Sequence, residues 1–147
     1  MNSILSNIVI TVNPKLFVKN PETSDLGKKI ISQSIILINE IGFEDFTFKK
    51  LGEKIGSNES SIYRYFESKH KLLLYLCSWY WGWMEYRMLF SITNITDPME
   101  KLKRAITTVT EKIDDDSQTQ HINESILNQI IIAEFTKTLL TKEVDEE

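Results

Sequence analysis

The stretch "FTFKKLGEKIGSNESSIYRYF", residues 46–66, decides how the rest of the chain is read. Thr47 stands where a helix N-cap belongs, and Phe46 before it can staple onto Leu51 four residues after the cap. Gly56 closes that short helix in the manner of a C-terminal glycine. Asn58 offers a second cap, and Ile62 and Phe66, four apart, share the inward face of the next helix. Two short helices with only a few residues between them have the proportions of a helix-turn-helix unit. A wheel anchored on Ile62 and Phe66 leaves Ser60 and Arg64 on the opposite side, with Ser61 and Tyr63 on its flanks. Short hydroxyls permit close approach to a duplex, Arg64 can reach a phosphate or a guanine edge, and a tyrosine hydroxyl can bond a phosphate oxygen. Taken alone, the same octapeptide also reads as an ordinary amphipathic helix with half-buried tyrosines and a solvated arginine.

Working outward, Ser24 caps a first helix that runs to about Ile41 and stops at Gly42, with Leu26, Ile30, Ser34, Leu37, Ile38 and Ile41 on one face. The three helices are expected at roughly 17, 8 and 8 residues, the third being the reader. Before them, residues 1–23 form an N-terminal arm in which "IVITV" and "LFV" flank Asn13-Pro14, as a short hairpin or an extended segment. After them, a long helix runs from Ser68 to about Ile92 and carries Trp79, Trp83, Tyr86 and Phe90 on one stripe, with Trp81 off it. Such a stripe serves either helix packing or a ligand cavity. Gly82 within it suits close approach of a neighbour, or is simply tolerated. Asp97-Pro98-Met99-Glu100 starts another helix, continued by Leu102, Ala105 or Ile106, Val109 and Ile113. "DDDSQTQH" reads as a solvated acidic loop, and a last helix is expected from about Ile122 to Leu140. The expected fold class is all-α, divided into the arm (1–23), a helix-turn-helix unit (24–76) and a further helical part (77–147), which the family resemblance given below makes a DNA-binding domain and an effector and dimerisation domain.

Composition narrows the function. The 147 residues carry a net charge of −4, divided unequally: residues 1–76 hold ten Lys and Arg against eight Asp and Glu, residues 77–147 seven against thirteen. Only the N-terminal half suits an anionic partner. One cysteine, Cys77, excludes an internal disulfide framework, and with His70 and His121 as the only histidines no multi-ligand metal site is expected. Cys77 reads as a small core residue rather than a redox sensor. No phosphate-binding glycine loop, nucleophile elbow or acid–base pair is present, so neither catalysis nor a cofactor is expected. The opening "ILSNIVITV" lacks a basic flank and is too short to span a bilayer, so the cytoplasm is the expected compartment.

The segment "KKIISQSIILINEIGFEDFTFKKLGEKIGSNESSIYRYFESKHKLLLYL" resembles the DNA-binding domain of the TetR family of bacterial transcriptional regulators over about residues 26–76. The resemblance rests on the Gly42-Phe43 turn, Thr47, Gly56 and "IYRYFESK". It implies phosphate contacts for Thr47, Tyr63 and Lys69, and base-reading or groove roles for Lys49, Glu59, Ser60, Ser61 and Tyr65, beside Arg64. Glu59 can accept from a cytosine amine or simply complement the helix dipole. Ser57 and Ser60 stand where the family carries a small apolar residue and often glycine or proline. The implied function is a ligand-responsive repressor that binds double-stranded operator DNA as a homodimer. A small apolar or aromatic effector would meet Trp79, Trp83 and Tyr86, and the long helix, with Lys69 and Trp83 about 21 Å apart, would carry the signal. The family's two long dimerising helices are not found before the "TKEVDEE" end, so the effector domain is expected to be incomplete. The competing reading is an α-helical interaction protein of the same fold that has lost DNA binding.

Overall fold

The structure is a computed structural model that describes residues 9–114 and 118–134. Six α-helices lie in it: α1 (Asp25–Ile41), α2 (Phe48–Ile55), α3 (Glu59–Tyr63), α4 (Lys69–Ile92), α5 (Pro98–Thr110) and α6 (Glu124–Glu134). The fold is all-α apart from one small hairpin, β1 (Gln118–Thr119) and β2 (Ile122–Asn123), paired antiparallel in the register Gln118↔Asn123 and Thr119↔Ile122. Among the described residues no helix is long and apolar enough to cross a membrane.

The helix starts follow local capping chemistry. The side-chain oxygens of Ser24, Thr47, Asn58, Ser68 and Asp97 each accept a backbone N–H from the first turn of α1 to α5 in order, at 2.9–3.3 Å. Gly42 (φ 82°) and Gly56 (φ 69°) end α1 and α2 in the left-handed half of backbone space that glycine enters without steric cost. One expected length differs. α3 spans five residues rather than eight, because Tyr65 and Phe66 both donate to the Ile62 carbonyl and the chain tightens there. Phe66 is still fully buried, edge-on to the Tyr75 ring at 5.4 Å.

Among the described residues, from Val9 onward, the arm is extended and forms no hairpin. It makes two short 3-10 turns (Pro14–Leu16 and Pro21–Thr23), and Ile10 and Val12 are buried. Gly82 lets it in: a Cβ there would stand 2.8 Å from Ile10 Cγ2. Val18 N–H donates to the Tyr65 carbonyl at 2.8 Å, tying the arm to the end of α3. A single apolar core then runs from the arm through α1–α4 to Ile122, Leu127 and Ile130.

α6 packs on both α1 and α4, and Phe43 N–H donates to Glu134 Oε1 at 3.2 Å. The last helix therefore closes over the first, beginning at Glu124 where Ile122 had been expected, because Ile122 is taken into β2. The expected continuation to Leu140, the acidic end and Asp115 to Ser117 lie outside the described residues. α5 departs from an inward-facing amphipathic helix. Thr108 is its buried residue, while Met99, Leu102, Ile106 and Val109 form an exposed stripe at 3-4-3 spacing and only Ile113, beyond its end, reaches the core.

Candidate nucleic-acid interface

α2 and α3 are held at a fixed turn by backbone contact. Ser57 N–H donates to the Gly52 carbonyl at 2.9 Å, and a Cβ on Gly52 would stand 2.6 Å from the Ser57 oxygen. Gly52 was not singled out in the sequence, although a glycine one turn before the capping Gly56 is the available signal. Leu51, Ile55 and Ile62 fill the space beneath.

Above this base Thr47, Lys49, Glu59, Ser60, Tyr63 and Arg64 are exposed together on the α2–α3 surface, with Ser61 half-buried. Thr47 Oγ1 accepts the cap N–H of Lys50, which leaves its own O–H proton to donate outward. The Ser60 and Ser61 hydroxyls both donate to Asn58 Oδ1 at 2.8 Å, so the two serines sit in set rotamers. Tyr63 leans edge-on against Phe48 at 4.9 Å, and its hydroxyl makes no hydrogen bond among the described residues. Arg64 and Lys49 have no ion-pair partner among the described residues. Lys50 Nζ donates to the Asp45 carbonyl at 2.8 Å, and Lys54 pairs with Glu40 at 3.5 Å. Glu59 stands in the first turn of α3, where a carboxylate complements the helix dipole.

Two expected contacts are corrected. Tyr65 is 3% exposed: its hydroxyl hydrogen-bonds Ser24 Oγ at 2.6 Å, and Lys19 Nζ lies 5.1 Å from its ring centre. It locks the α3 end to the α1 cap and presents nothing to a groove. Lys69 Nζ donates to the carbonyls of Phe43, Glu44 and Phe46 at 2.9, 3.1 and 3.1 Å, and sits 4.6 Å from the Phe43 ring centre. An ammonium has three protons, and all three are used inside the protein. Lys69 thus pins the α1–α2 turn to α4 instead of reaching for phosphate.

The three candidate effector residues stand in different surroundings. Trp79 and Trp83 are buried and stacked at 6.3 Å, Trp83 lies under the Arg87 guanidinium at 4.9 Å, and Tyr86 is 41% exposed. α6 meets α4 on the Tyr80 side, where Tyr80 Oη accepts from Asn128 Nδ2 at 2.7 Å. Burial raises the Tyr80 hydroxyl above its ordinary pKa, opposed by Asn128 and Arg87. Trp79 alone of the three lines the cavity between the arm, α1 and the hairpin.

Burial also pushes the Cys77 thiol up to about 12. At pH 8 the thiolate fraction is then roughly one in ten thousand, far below that of a free cysteine. Iodoacetamide at pH 8 should leave the folded protein unmodified over hours and label it within minutes in urea. Rapid labelling of the native protein would show Cys77 to be accessible and reactive after all.

Residues 30–76, which include α2, α3 and the start of α4, match the family model "Bacterial regulatory proteins, tetR family". No curated protein and no solved structure matches the chain. The matched segment holds a capped helix-turn-helix with a polar outer face, and over residues 30–76 the chain is similar to the bacterial regulatory proteins of the tetR family.

Proposed function

We propose that the protein is a ligand-responsive transcriptional repressor that reads operator DNA with α3 and holds the backbone with the start of α2. The observation that carries this reading is the exposure of Thr47 and Lys49 at the start of α2 and of Ser60, Tyr63 and Arg64 along α3 and its end, about a turn that Gly52 keeps tight. Thr47 and Tyr63 would donate to phosphate oxygens, Lys49 and Arg64 would supply charge, and Ser60 and Ser61 would lie against base edges. Residues 24–76 form the reading unit in this proposal, and 77–147 the effector and dimerisation unit. One continuous α4 joins them and would transmit a tilt.

Few cations face outward, so the electrostatic share of binding is modest. With two or three phosphate contacts per reader, log K should fall against log salt with a slope of about −2 to −3 per protomer. Arg64→Ala should weaken operator binding by about 1–2 kcal/mol and flatten that slope by about one. Equal affinity for wild type and variant would remove Arg64 from the interface.

Selection of bound DNA from a random pool tests the whole reading. A palindromic site with half-sites roughly one or two helical turns apart is expected. Recovery of no enriched sequence would favour the interaction-protein alternative. The exposed α5 stripe, with Tyr86 and Leu89 exposed on α4, supports a homodimer in which a second copy covers these residues. Light scattering should show a dimer that Ile106→Glu dissociates; a monomeric wild type would refute this interface.

A further inference from the structure

A cavity of about 260 Å³ opens where four segments meet: the arm at Ile10, the entry to α1 at Glu22 and Lys28, α4 at Trp79, and the hairpin at His121 and Ile122. At roughly 30 Å³ per water it holds about nine water-sized groups, the bulk of an aromatic ring with a short polar arm. Ile10, Ile122 and Trp79 are themselves buried and give it an apolar lining.

The polar groups at its other end are satisfied unequally. Glu22 Oε1 accepts from His121 Nε2 at 3.0 Å and from Tyr75 Oη at 3.4 Å, so this carboxylate oxygen is hydrogen-bonded within the protein. Lys28 is half-buried and has no ion-pair partner among the described residues. His121 Nδ1 is buried with no hydrogen-bond partner among the described residues. Polar capacity left unpaired beside an apolar wall is the pattern of a site awaiting a ligand. The lining cation without a salt-bridge partner among the described residues is Lys28.

We propose that this cavity is the effector site and that its ligand is a small apolar acid, with an aromatic or branched body against Trp79, Ile10 and Ile122 and one carboxylate on Lys28. The proposal rests on the ligand-responsive reading above and moves the site away from Trp83 and Tyr86. Its position suits regulation. Glu22 and Lys28 adjoin the reading helices through α1, whereas His121 and Ile122 belong to the hairpin that leads into α6, so an occupant touches both sides of any movement between them. Occupancy shifts operator affinity by the ligand's differential affinity for the two arrangements, and DNA shifts ligand affinity by the same factor.

The test is calorimetric titration of the full chain with benzoate, phenylacetate and 3-methylbutanoate, against benzamide and benzylamine as uncharged and cationic controls. At least one acid should bind once per chain, and its uncharged or cationic counterpart roughly ten- to hundredfold more weakly. Lys28→Met should cost the acid the same factor, and Val9→Trp, at an exposed residue on the cavity lining, should block it. The bound acid should change affinity for the operator selected above, by a factor recovered when DNA is titrated first. Binding of none of the acids, tighter binding of benzylamine, binding indifferent to both substitutions, or an acid that binds without moving operator affinity would each overturn the proposal. Absence of any operator would instead count against the regulator reading, while the titrations without DNA still decide whether the cavity takes acids.

Discussion

Lys69→Met will lower the stability of the protein by about 3 kcal/mol, measured by urea denaturation, while leaving the salt dependence of operator binding unchanged. Three charge-assisted hydrogen bonds from one ammonium hold the Phe43, Glu44 and Phe46 carbonyls. Bonds of this kind contribute roughly 1.5–3 kcal/mol each when isolated, and sharing one partly exposed donor reduces the sum. Methionine keeps most of the stem and supplies none of the donors. Lys69→Arg should recover little, since a planar guanidinium cannot direct three protons into a cradle that surrounds one nitrogen. The opposite pattern, stability held within about 0.5 kcal/mol and a salt slope flattened by about one, would restore Lys69 to the phosphate backbone and refute its structural role.

Gly52→Ala will cost about 2 kcal/mol of stability and at least roughly tenfold in operator affinity. Alanine is favoured over glycine in a helix by about 1 kcal/mol, which on propensity alone would stabilise α2. The close approach reverses that sign, because the new methyl group would stand 2.6 Å from a backbone oxygen that has no rotamer to change. The turn must open, and α3 turns with it. Gly56→Ala provides the contrast: nothing lies within 4 Å of its Cβ, and only the left-handed φ of 69° is penalised, at about 1 kcal/mol. A stable Gly52→Ala protein that binds its operator normally would mean that the turn is not what orients α3.

Much of the exposed α2–α3 surface was legible in the sequence because its signals are local. A cap and the amide it receives lie three residues apart, so Thr47, Asn58 and Ser68 announce their helices without reference to anything distant. The outward placement of Ser60, Tyr63 and Arg64 follows from the period of one turn once Ile62 is buried. Tyr65 escaped this logic. It stands just past the shortened α3, and its burial depends on Ser24, forty-one positions earlier.

The C-terminal half shows the same division at longer range. Periodicity placed Trp79, Trp83 and Tyr86 on one stripe of α4, yet a 24-residue helix meets different neighbours along its length. Trp79 faces the cavity beside the arm, Trp83 lies beneath Arg87, and Tyr86 is exposed. Likewise the spacing of Leu102, Ile106 and Val109 gave a helix its amphipathic face but not the direction in which that face points.

The sequence by itself therefore determined the helices, their caps, the helix-turn-helix proportions and the likeness to the tetR family over residues 30–76, since each depends on residues within a few turns of one another. Only the tertiary structure decided that Lys69 is a structural pin, that the arm is part of the core, and that Glu22 meets His121 across ninety-nine positions. Propensity and periodicity describe what a segment can bury or donate. Which partner accepts it is settled by where distant segments come to rest, and in this chain those partners are backbone carbonyls and single side chains that carry no local signal.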